Sequence, residues 1–359
     1  MGAGIVANFA TRLGHGRDAA RGHGRGVYAA LDLGTNNCRL LVARAVAGGF
    51  QVVDAFSRIV RLGEGLSATG ALSEAAQSRT LEALKVCAAK IRRNKVTRCR
   101  AVATEACRRA RNRGAFVERV RLRTGIDLEI ISNDEEACLA LAGCMPLLDR
   151  GVSHALVFDI GGGSTELAWM EMPARGAAPN GEETRPGGWC SMPMGVVTLA
   201  ERHGGRQVTP AAYRAMVAEV RAALAPFEAE HALNRLVADG RMQMLGTSGT
   251  VTTLAGIHQR LARYDRARVD GCYLDFETAR AISRGIAAMS YESRVASPCI
   301  GRQRADLVIA GCAILEAVCE TWPVGRLRVA DRGLREGILY RLARGDGPPA
   351  AQRNGAHGS

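Results

Sequence analysis

The first third of the chain alternates short apolar runs with polar turns, a pattern typical of a β-meander followed by helices. Three apolar runs separated by turns predict three strands, over residues 27–33, 38–46 and 50–56. Ser73 can then cap a helix in which apolar residues recur at helical spacing: Leu81, Leu84, Ala88 and Ile91. Two further strands, over 100–103 and 128–131, alternate with helices near 114–124 and over 134–142.

The opening pattern returns in the second half of the chain. A strand over 155–158 leads to Asp159, a glycine-rich turn and a strand over 165–170, 127 residues after the equivalent Asp32. A repeat at about one domain length predicts a duplicated βββαβα domain with two facing halves. Helical pattern then runs from 209 to 236, broken at Pro226, and resumes from 250, 276 and 305. Strands over 242–245 and 327–330 and a helix over 334–342 complete the pattern.

Composition divides this α/β chain into two domains and two tails. Residues 1–26 and 343–359 are rich in glycine, arginine, alanine or proline without an apolar period, which predicts disordered tails. We expect one domain over 27–149 and a second over 150–342, whose last helix can pack back on the first. Residues 172–190, rich in proline, glycine and charge, predict a long loop.

Three turns have the composition of phosphate-binding loops. The first follows Asp32 and contains Gly34, Thr35, Asn36 and Asn37. The second follows Asp159 and contains Gly161, Gly162, Gly163 and Ser164. The third precedes a helix, whose N-terminus favours anions, and contains Thr247, Ser248, Gly249 and Thr250. Each turn alone is more typical of a simple chain reversal, but the three together predict a phosphate or polyphosphate site.

The first two turns differ from nucleotide-binding P-loops because a strand, and not a helix, follows each of them. Both are headed by an aspartate, Asp32 or Asp159. Carboxylates repel phosphate unless a hard cation lies between them, so these two residues predict a Mg²⁺ site.

Acidic and basic residues near the end of the first half are candidates for catalysis. Glu135 and Glu136 open a helix, where acidic residues commonly interact with the helix dipole. A carboxylate between two domains can also orient water for in-line attack on phosphorus. Arg108 follows the strand over 100–103 and can either bind a phosphate with two hydrogen bonds or lie in a solvated loop.

The net charge of +13 is concentrated in one segment. Fourteen basic and two acidic residues lie between Lys85 and Arg123, whereas the remaining chain has 34 basic and 33 acidic residues. This segment, which we call the basic segment, predicts a polyanion contact, with a solvated helix face as the alternative. Phe116 is its one aromatic residue, so base stacking is poorly supported and a phosphate polymer fits better than nucleic acid.

The composition also excludes several classes of protein. No apolar run approaches the roughly 20 residues that a membrane-spanning helix needs. The eleven cysteines are scattered, with no CxxC pair and no zinc-like spacing, which predicts reduced thiols in the cytoplasm.

Seven motifs give the chain a specific resemblance. It resembles the exopolyphosphatase/guanosine pentaphosphate phosphohydrolase (Ppx/GppA) family, whose motif order it shares: DLGTNN, TEACRRARN, IISNDEEA, FDIGGGSTE, MPMG, LGTSGT and LRVADRGLREGIL. The resemblance covers about residues 27 to 342 and looks like the short, two-domain form of the family. It implies a duplicated actin/Hsp70/sugar-kinase-like (ribonuclease H-like) fold with an interdomain cleft.

The resemblance also implies roles for individual residues. Asp32 and Asp159 match metal ligands, and Glu166 matches an acidic residue that supports the metal or the water. Glu136 matches the catalytic glutamate that activates water, and Arg108 matches an arginine of the phosphate channel. The implied phosphate contacts are the residues of the three turns, together with Gly195 of MPMG.

Three positions depart from the family pattern. Asn37 stands where serine is usual, Cys138 stands where arginine commonly follows EEA, and Arg332 interrupts the commoner aspartate-glycine-alanine. None of the three departures removes a carboxylate with an implied catalytic role.

The resemblance implies an exopolyphosphatase that releases orthophosphate from the end of inorganic polyphosphate, with Mg²⁺ as cofactor. The alternative substrate is guanosine pentaphosphate (pppGpp), converted to ppGpp by the same chemistry. A non-catalytic polyanion-binding protein is a different class, and a kinase or Hsp70-like ATPase is disfavoured by the motif set. The resemblance also implies that the chain can form a homodimer.

Overall fold

The computed structural model describes residues 26–46, 49–172 and 186–345. Eleven strands lie in these ranges: β1 (Val27–Leu33), β2 (Asn37–Val46), β3 (Gly49–Ile59), β4 (Arg98–Ala103), β5 (Leu128–Ile130), β6 (His154–Ile160), β7 (Thr165–Glu171), β8 (Gly188–Met192), β9 (Met242–Thr247), β10 (Tyr273–Asp275) and β11 (Arg326–Ala330). The predicted tails lie almost entirely outside the described residues.

The same ranges contain fourteen α-helices. In the first half they are α1 (Leu66–Thr69), α2 (Glu74–Arg93), α3 (Glu105–Arg109), α4 (Arg113–Thr124) and α5 (Asn133–Cys144). In the second half they are α6 (Val196–His203), α7 (Pro210–His231), α8 (Leu233–Ala238), α9 (Gly249–His258), α10 (Arg266–Val269), α11 (Phe276–Ala288), α12 (Tyr291–Ala296), α13 (Val308–Thr321) and α14 (Leu334–Arg344).

The two halves of the chain form two sheets of the same design. The first sheet has the order β3-β2-β1-β4-β5, and the second has the order β8-β7-β6-β9-β11-β10. In each sheet the three strands of the meander are antiparallel, and the next two strands run parallel to the first. β10 is an antiparallel addition at the edge of the second sheet. The duplicated βββαβα pattern is therefore present as matching topology.

Apolar side chains from the helices cover both sheets. In the first half, Leu84 of α2 and Phe116 of α4 are fully buried in one cluster with Leu31 of β1. In the second half, Phe158 of β6 and Ile314 of α13 belong to a larger cluster. Each sheet thus has its own core, and this leaves the carboxyl ends of the parallel strands free to carry polar loops.

Helices α5 and α14 lie against each other between the two halves. α14 follows β11 of the second sheet, yet its apolar face packs on β1, β2 and α5. The two helix backbones approach closely, because a Cβ at Gly337 would lie 2.0 Å from the carbonyl oxygen of Leu139. A Cβ at Gly143 would lie 1.9 Å from the carbonyl oxygen of Gly333. Glycine at these positions permits the contact between the helices.

Two sequence predictions about the second half were wrong. α7 continues through Pro226 and ends where Ala232 takes a left-handed conformation with φ 50°. Pro226 and Ala222, whose carbonyl the proline leaves without a donor, are both on the exposed side of the helix, where water can bind that carbonyl.

The predicted loop over 172–190 also ends earlier than expected, because β8 begins at Gly188 and pairs with β7. Gly187 and Gly188, at the start of this strand, prevented its prediction from the sequence. A Cβ at Gly187 or Gly188 would lie 2.6 Å from the ring of Trp169, so the strand can only pack there without side chains. Residues 173–185 of the predicted loop lie outside the described residues.

More than half of the cations in the basic segment pair with acidic residues, some in the same helix and some in other elements. Eight of its fourteen cations form ion pairs: Lys85, Lys90, Arg93, Arg100, Arg108, Arg109, Arg119 and Arg121. Asp54 of β3, for example, binds both Lys90 and Arg93. These ion pairs weaken the predicted polyanion contact at this segment. Among the described residues, no helix is long and apolar enough to cross a membrane.

Candidate functional site

The two aspartate-headed turns are equivalent in geometry. In the first, the N–H of Gly34 donates to the carbonyl oxygen of Asn37 at 2.9 Å. In the second, the N–H of Gly161 donates to the carbonyl oxygen of Ser164, also at 2.9 Å. The residue opposite each aspartate in the hairpin is charged, but with opposite sign. Asp32 faces Arg39, and Asp159 faces Glu166.

The two turns pack directly against each other. A Cβ at Gly162 would lie 2.9 Å from the Cβ of Asn36, and one at Gly163 would lie 2.6 Å from Oγ1 of Thr35. Only glycine allows this approach without displacement of the neighbouring turn. The turns consequently form the two facing walls of one cleft.

This cleft has about 930 Å³ of empty space, counted out to its open mouth. Most of the predicted site residues line it: Asp32, Gly34, Thr35, Asn36, Asn37, Glu136, Asp159, Gly161, Gly162, Gly163, Ser164, Glu166, Ser248, Gly249 and Thr250. Three predicted residues, Arg108, Gly195 and Thr247, lie behind this lining. The residues predicted from separate motifs are thus brought together from both halves of the chain.

Five carboxylates line the cleft: Asp32, Glu105, Glu136, Asp159 and Glu166. Burial, together with the charge of Asp32, raises the pKa of Asp159 to about 6. Burial also raises the pKa of Glu166 to about 7, although Ser164 and Ser191 donate hydrogen bonds to its Oε1 at 2.5 and 3.0 Å. The pKa of Asp32 is likewise raised by burial, against the opposing effect of Arg39. The protein therefore holds these acids close together without enough cations to balance them.

Glu136 lies in the first turn of α5, which Ser132 caps by accepting a hydrogen bond from the N–H of Glu135 at 3.1 Å. Burial and the charge of Glu166 raise the pKa of Glu136 well above its ordinary value. Nη1 of Arg108 donates to Oε2 of Glu136 at 2.7 Å. Arg108 lies in α3, a short helix where the sequence indicated a loop.

Arg108 does not face the cleft in this structure. Besides Glu136, it donates to the carbonyl oxygen of Ile131 at 3.0 Å and to Oε2 of Glu105 at 3.1 and 3.3 Å. Its contact to a phosphate, as implied by the family resemblance, therefore requires that it first release one of these partners.

The third turn supplies a helix N-terminus to the cleft. Ser248 has φ 129°, which is unusual for a residue with a side chain, and its Oγ accepts from the N–H groups of Thr250 and Val251. The guanidinium of Arg304 lies beside it, with Nη1 donating to Oγ1 of Thr253 at 3.1 Å. Arg304 forms no ion pair within the described ranges, and burial lowers its pKa. A helix terminus and an unpaired cation together favour an anion here.

Gly195 and Thr247 support the turns from behind. A Cβ at Gly195 would lie 2.4 Å from the carbonyl carbon of Gly162, and the next residue, Val196, donates its N–H to the carbonyl oxygen of Gly161 at 3.0 Å. Oγ1 of Thr247 donates to the carbonyl oxygen of Arg332 at 2.8 Å. The Arg332 side chain pairs with Asp270, which gives this departure from the family pattern a structural role.

Sequence reasoning missed three charged residues of the cleft: Arg39, Glu105 and Arg304. Arg39 could have been found from the strand register, since it lies opposite Asp32 once the turn is placed. Glu105 follows Thr104 at the carboxyl end of β4, a position where polar residues of such sheets meet. No local pattern marks Arg304, which is far from every motif in the sequence.

The donor set suits a divalent cation. Among the described residues, no group of three His, Cys, Asp or Glu side chains is arranged as a preformed metal cage. Mg²⁺ does not need such a cage, because it usually binds through one or two carboxylates, water and substrate phosphates. The crowded carboxylates of Asp32, Asp159 and Glu166, and the buried Oδ1 of Asn36, which has no hydrogen-bond partner, fit a hard cation.

Known proteins share both the sequence and this architecture. A guanosine-5'-triphosphate,3'-diphosphate pyrophosphatase from Aeromonas hydrophila is 31% identical over 322 residues, which are 89% of this chain and 60% of the relative. The chain thus spans about three fifths of the length of that relative.

Two solved structures match nearly the whole length of both chains. The Ppx/GppA enzyme of Aquifex aeolicus is 28% identical with a TM-score of 0.71, covering 88% of this chain and 98% of its own. An exopolyphosphatase-like protein is 30% identical with a TM-score of 0.77, covering 89% and 98%. The predicted actin-like two-domain fold is confirmed. Residues 41–345 match the profile of the Ppx/GppA phosphatase family, and the chain belongs to that family of hydrolases.

Proposed function

We propose that this chain is a divalent-metal-dependent phosphohydrolase that removes the terminal 5′ phosphate of pppGpp. The observation that carries the reaction class is the cleft in which five carboxylates and three glycine- and hydroxyl-rich turns line one space. The choice of pppGpp rests on the activity after which the Aeromonas relative is named. This reverses the order of substrates that the sequence motifs suggested, and polyphosphate becomes the second candidate, supported by the exopolyphosphatase-like neighbour.

The phosphate chain of the substrate would lie between the walls of the cleft. The N-terminus of α9 and the guanidinium of Arg304 would hold phosphate groups on the second side, and the turn over Gly34–Asn37 would hold them on the first. Asp32, Asp159 and Glu166 would hold Mg²⁺, which, when bound, neutralises charge on the phosphate oxygens during transfer.

Glu136 is the proposed general base. Its carboxylate would accept a proton from the attacking water as that water forms a bond to the terminal phosphorus and the bridging P–O bond breaks. Burial raises the pKa of Glu136, which makes its carboxylate a stronger base toward the proton of that water. In the described state Arg108 occupies one of its oxygens at 2.7 Å. A substrate phosphate would compete for Arg108 and thereby release Glu136 toward the water.

The test is phosphate release from pppGpp and from long-chain polyphosphate, with Mg²⁺, for the wild type and Glu136→Gln. We expect the substitution to reduce kcat about 10²–10⁴-fold. Asp134→Asn is the matched control, because Asp134 is exposed in the same helical turn and does not line the cleft. Full activity of Glu136→Gln would remove Glu136 from this role.

Comparison of kcat/KM for the two substrates decides between the candidates. A higher value for pppGpp supports the first proposal, and a higher value for polyphosphate supports the second. No phosphate release from either substrate with Mg²⁺ present would contradict both.

A further inference from the structure

One rim of the cleft is closed by two polar contacts between its walls. The guanidinium of Arg61 binds the carboxylate of Asp306 twice, with Nη1–Oδ2 at 2.8 Å and Nη2–Oδ1 at 3.0 Å. Nearby, the N–H of Gly65 donates to Oε1 of Glu201 at 3.0 Å. Arg61 and Gly65 follow β3 of the first sheet, whereas Glu201 lies in α6 and Asp306 precedes α13. Both contacts must therefore break when the cleft widens at this rim.

Each end of the Arg61–Asp306 pair is attached to the site. The N–H of Arg61 donates to the carbonyl oxygen of Asn36, in the first phosphate-binding turn, at 3.0 Å. On the other side, Arg304 and Leu307 flank Asp306 in the sequence and both line the cleft. Formation or loss of the pair is thus transmitted to both walls.

A second arginine lies behind Asp306. Arg294 of α12 is only 1% exposed, and its Nη2 donates to the carbonyl oxygen of Arg206. Gly205, the neighbour of Arg206, packs on the backbone of Asp306, since a Cβ there would lie 2.1 Å from the Asp306 carbonyl oxygen. Asp306 and Arg294 are therefore close in space, although they belong to different elements.

Arg294 has no adequate counter-charge in this state. Its Nε and Nη1 are buried without hydrogen-bond partners, and no carboxylate of the described residues lies within ion-pair distance. The groups whose charges act on it are Tyr291, Asp306, Glu292 and Cys312, and burial outweighs them, so that its pKa is lowered. A buried guanidinium with unpaired donors is costly, and a carboxylate that moved toward it would remove that cost.

We propose that Asp306 changes its ion-pair partner with the state of the cleft. It binds Arg61 when the cleft is closed and Arg294 when the cleft is open. In the closed state the Arg61–Asp306 ion pair leaves Arg294 without a partner, and this limits how strongly closure is favoured. In the open state Asp306 loses Arg61 but gains Arg294, so neither state leaves the carboxylate without a partner. Competition for one carboxylate keeps the two states close in free energy, which allows the cleft to admit substrate and release product.

The exchange predicts opposite effects for two similar substitutions. Arg61→Met removes the partner of the closed state and should open the cleft. Arg294→Met removes the competing partner and the buried charge, and should close it further. A general effect of lost positive charge would move the cleft in the same direction in both variants.

The experiment measures opening without an activity assay. Amide hydrogen exchange of the peptide that contains Gly65 reports the Gly65–Glu201 contact, and small-angle X-ray scattering of the full chain reports its radius of gyration. We expect exchange about three- to tenfold faster for Arg61→Met, with a larger radius, and slower than wild type for Arg294→Met. Arg302→Met, an exposed arginine in the same segment, should leave both measurements unchanged.

A double-mutant cycle makes the inference specific to Asp306. Asp306→Asn removes the ion pair of both states, so it should open the cleft less than Arg61→Met does, and in that background neither Arg61→Met nor Arg294→Met should have a further effect. Arg294→Gln, which can still donate to the Arg206 carbonyl, is tested in parallel in case the Met variant does not fold. The proposal is wrong if Arg61→Met leaves Gly65 exchange unchanged, or if loss of Arg294 acts equally with and without Asp306. These measurements need no substrate, so they are independent of the proposed hydrolysis.

Discussion

Alanine should have opposite effects on stability at two helical glycines, because only one of them lies in the contact between α5 and α14. Gly337 of α14 lies where a Cβ would be 2.0 Å from the carbonyl oxygen of Leu139 in α5. Gly285 of α11 is exposed, and nothing lies within 4 Å of its Cβ position. At both sites alanine favours the helix by about 0.5–1 kcal/mol, because glycine loses more backbone freedom on folding.

The close approach decides the sign at Gly337. A carbon atom normally approaches a carbonyl oxygen to about 3.3–3.6 Å, so the helices must separate by more than about 1 Å to accommodate the new methyl group. Overpacking of this kind typically costs about 1–3 kcal/mol and exceeds the helical gain. We expect Gly337→Ala to lower the free energy of unfolding by about 1–2 kcal/mol, and Gly285→Ala to raise it by about 0.5–1 kcal/mol.

Urea unfolding followed by far-UV circular dichroism, at equal protein concentration, measures both variants against the wild type. The midpoint should fall for Gly337→Ala and rise for Gly285→Ala. If Gly337→Ala raised the midpoint as Gly285→Ala does, α14 would not pack on α5 at this distance. The close contact between the two halves of the protein would then be refuted.

Two further predictions concern the cleft. Glu166→Gln should raise metal-free stability at pH 8 by up to about 3 kcal/mol and add little at pH 4.5. Burial raises the pKa of Glu166 to about 7. The free energy of unfolding is therefore highest below the ordinary pKa of the carboxyl group and falls as the pH rises through 7, where the group ionises in the folded protein. An equal difference in urea midpoint at both pH values would contradict this. Arg304→Met should raise KM for pppGpp at least about tenfold without lowering the unfolding temperature, because it removes the proposed charged phosphate contact and a half-buried cation that has no ion pair among the described residues. Arg302→Met is its control, and an unchanged KM in Arg304→Met would exclude the contact.

The turns of the cleft could be predicted because their chemistry is local. Gly161 to Ser164 combine small residues, a preceding aspartate and a preceding strand within a few positions, and the repeat at Asp32 supplied independent support. The strands were found for the same reason, since alternation of apolar residues is a property of neighbours. β8 was not predicted, because Gly187 and Gly188 are explained by the rings of Trp169 and His231, which lie far from them in the sequence.

Charge could not be interpreted from the sequence alone. The basic segment is conspicuous in the sequence, yet residues such as Lys90 and Arg100 are neutralised by carboxylates 36 and 29 positions away. Arg304, in a stretch without any motif, lies beside the helix terminus of the cleft and forms no ion pair with a described residue. Which charged side chains stay unpaired in the folded protein depends on ion pairs between residues far apart in the sequence. A local count of charged residues cannot predict these pairs.

The hairpin positions opposite the two aspartates have a consequence for the origin of the site. Arg39 and Glu166 are 127 positions apart, the same interval as Asp32 and Asp159, so they are counterparts in the two copies. An assembly of two identical first copies would place two cations at these positions, and one of two identical second copies would place two anions. Neither symmetric assembly would place one cation and one anion at these two hairpin positions. A single chain that contains both copies can carry Arg39 in one hairpin and Glu166 in the other, and the unlike charges beside the two aspartates depend on that difference.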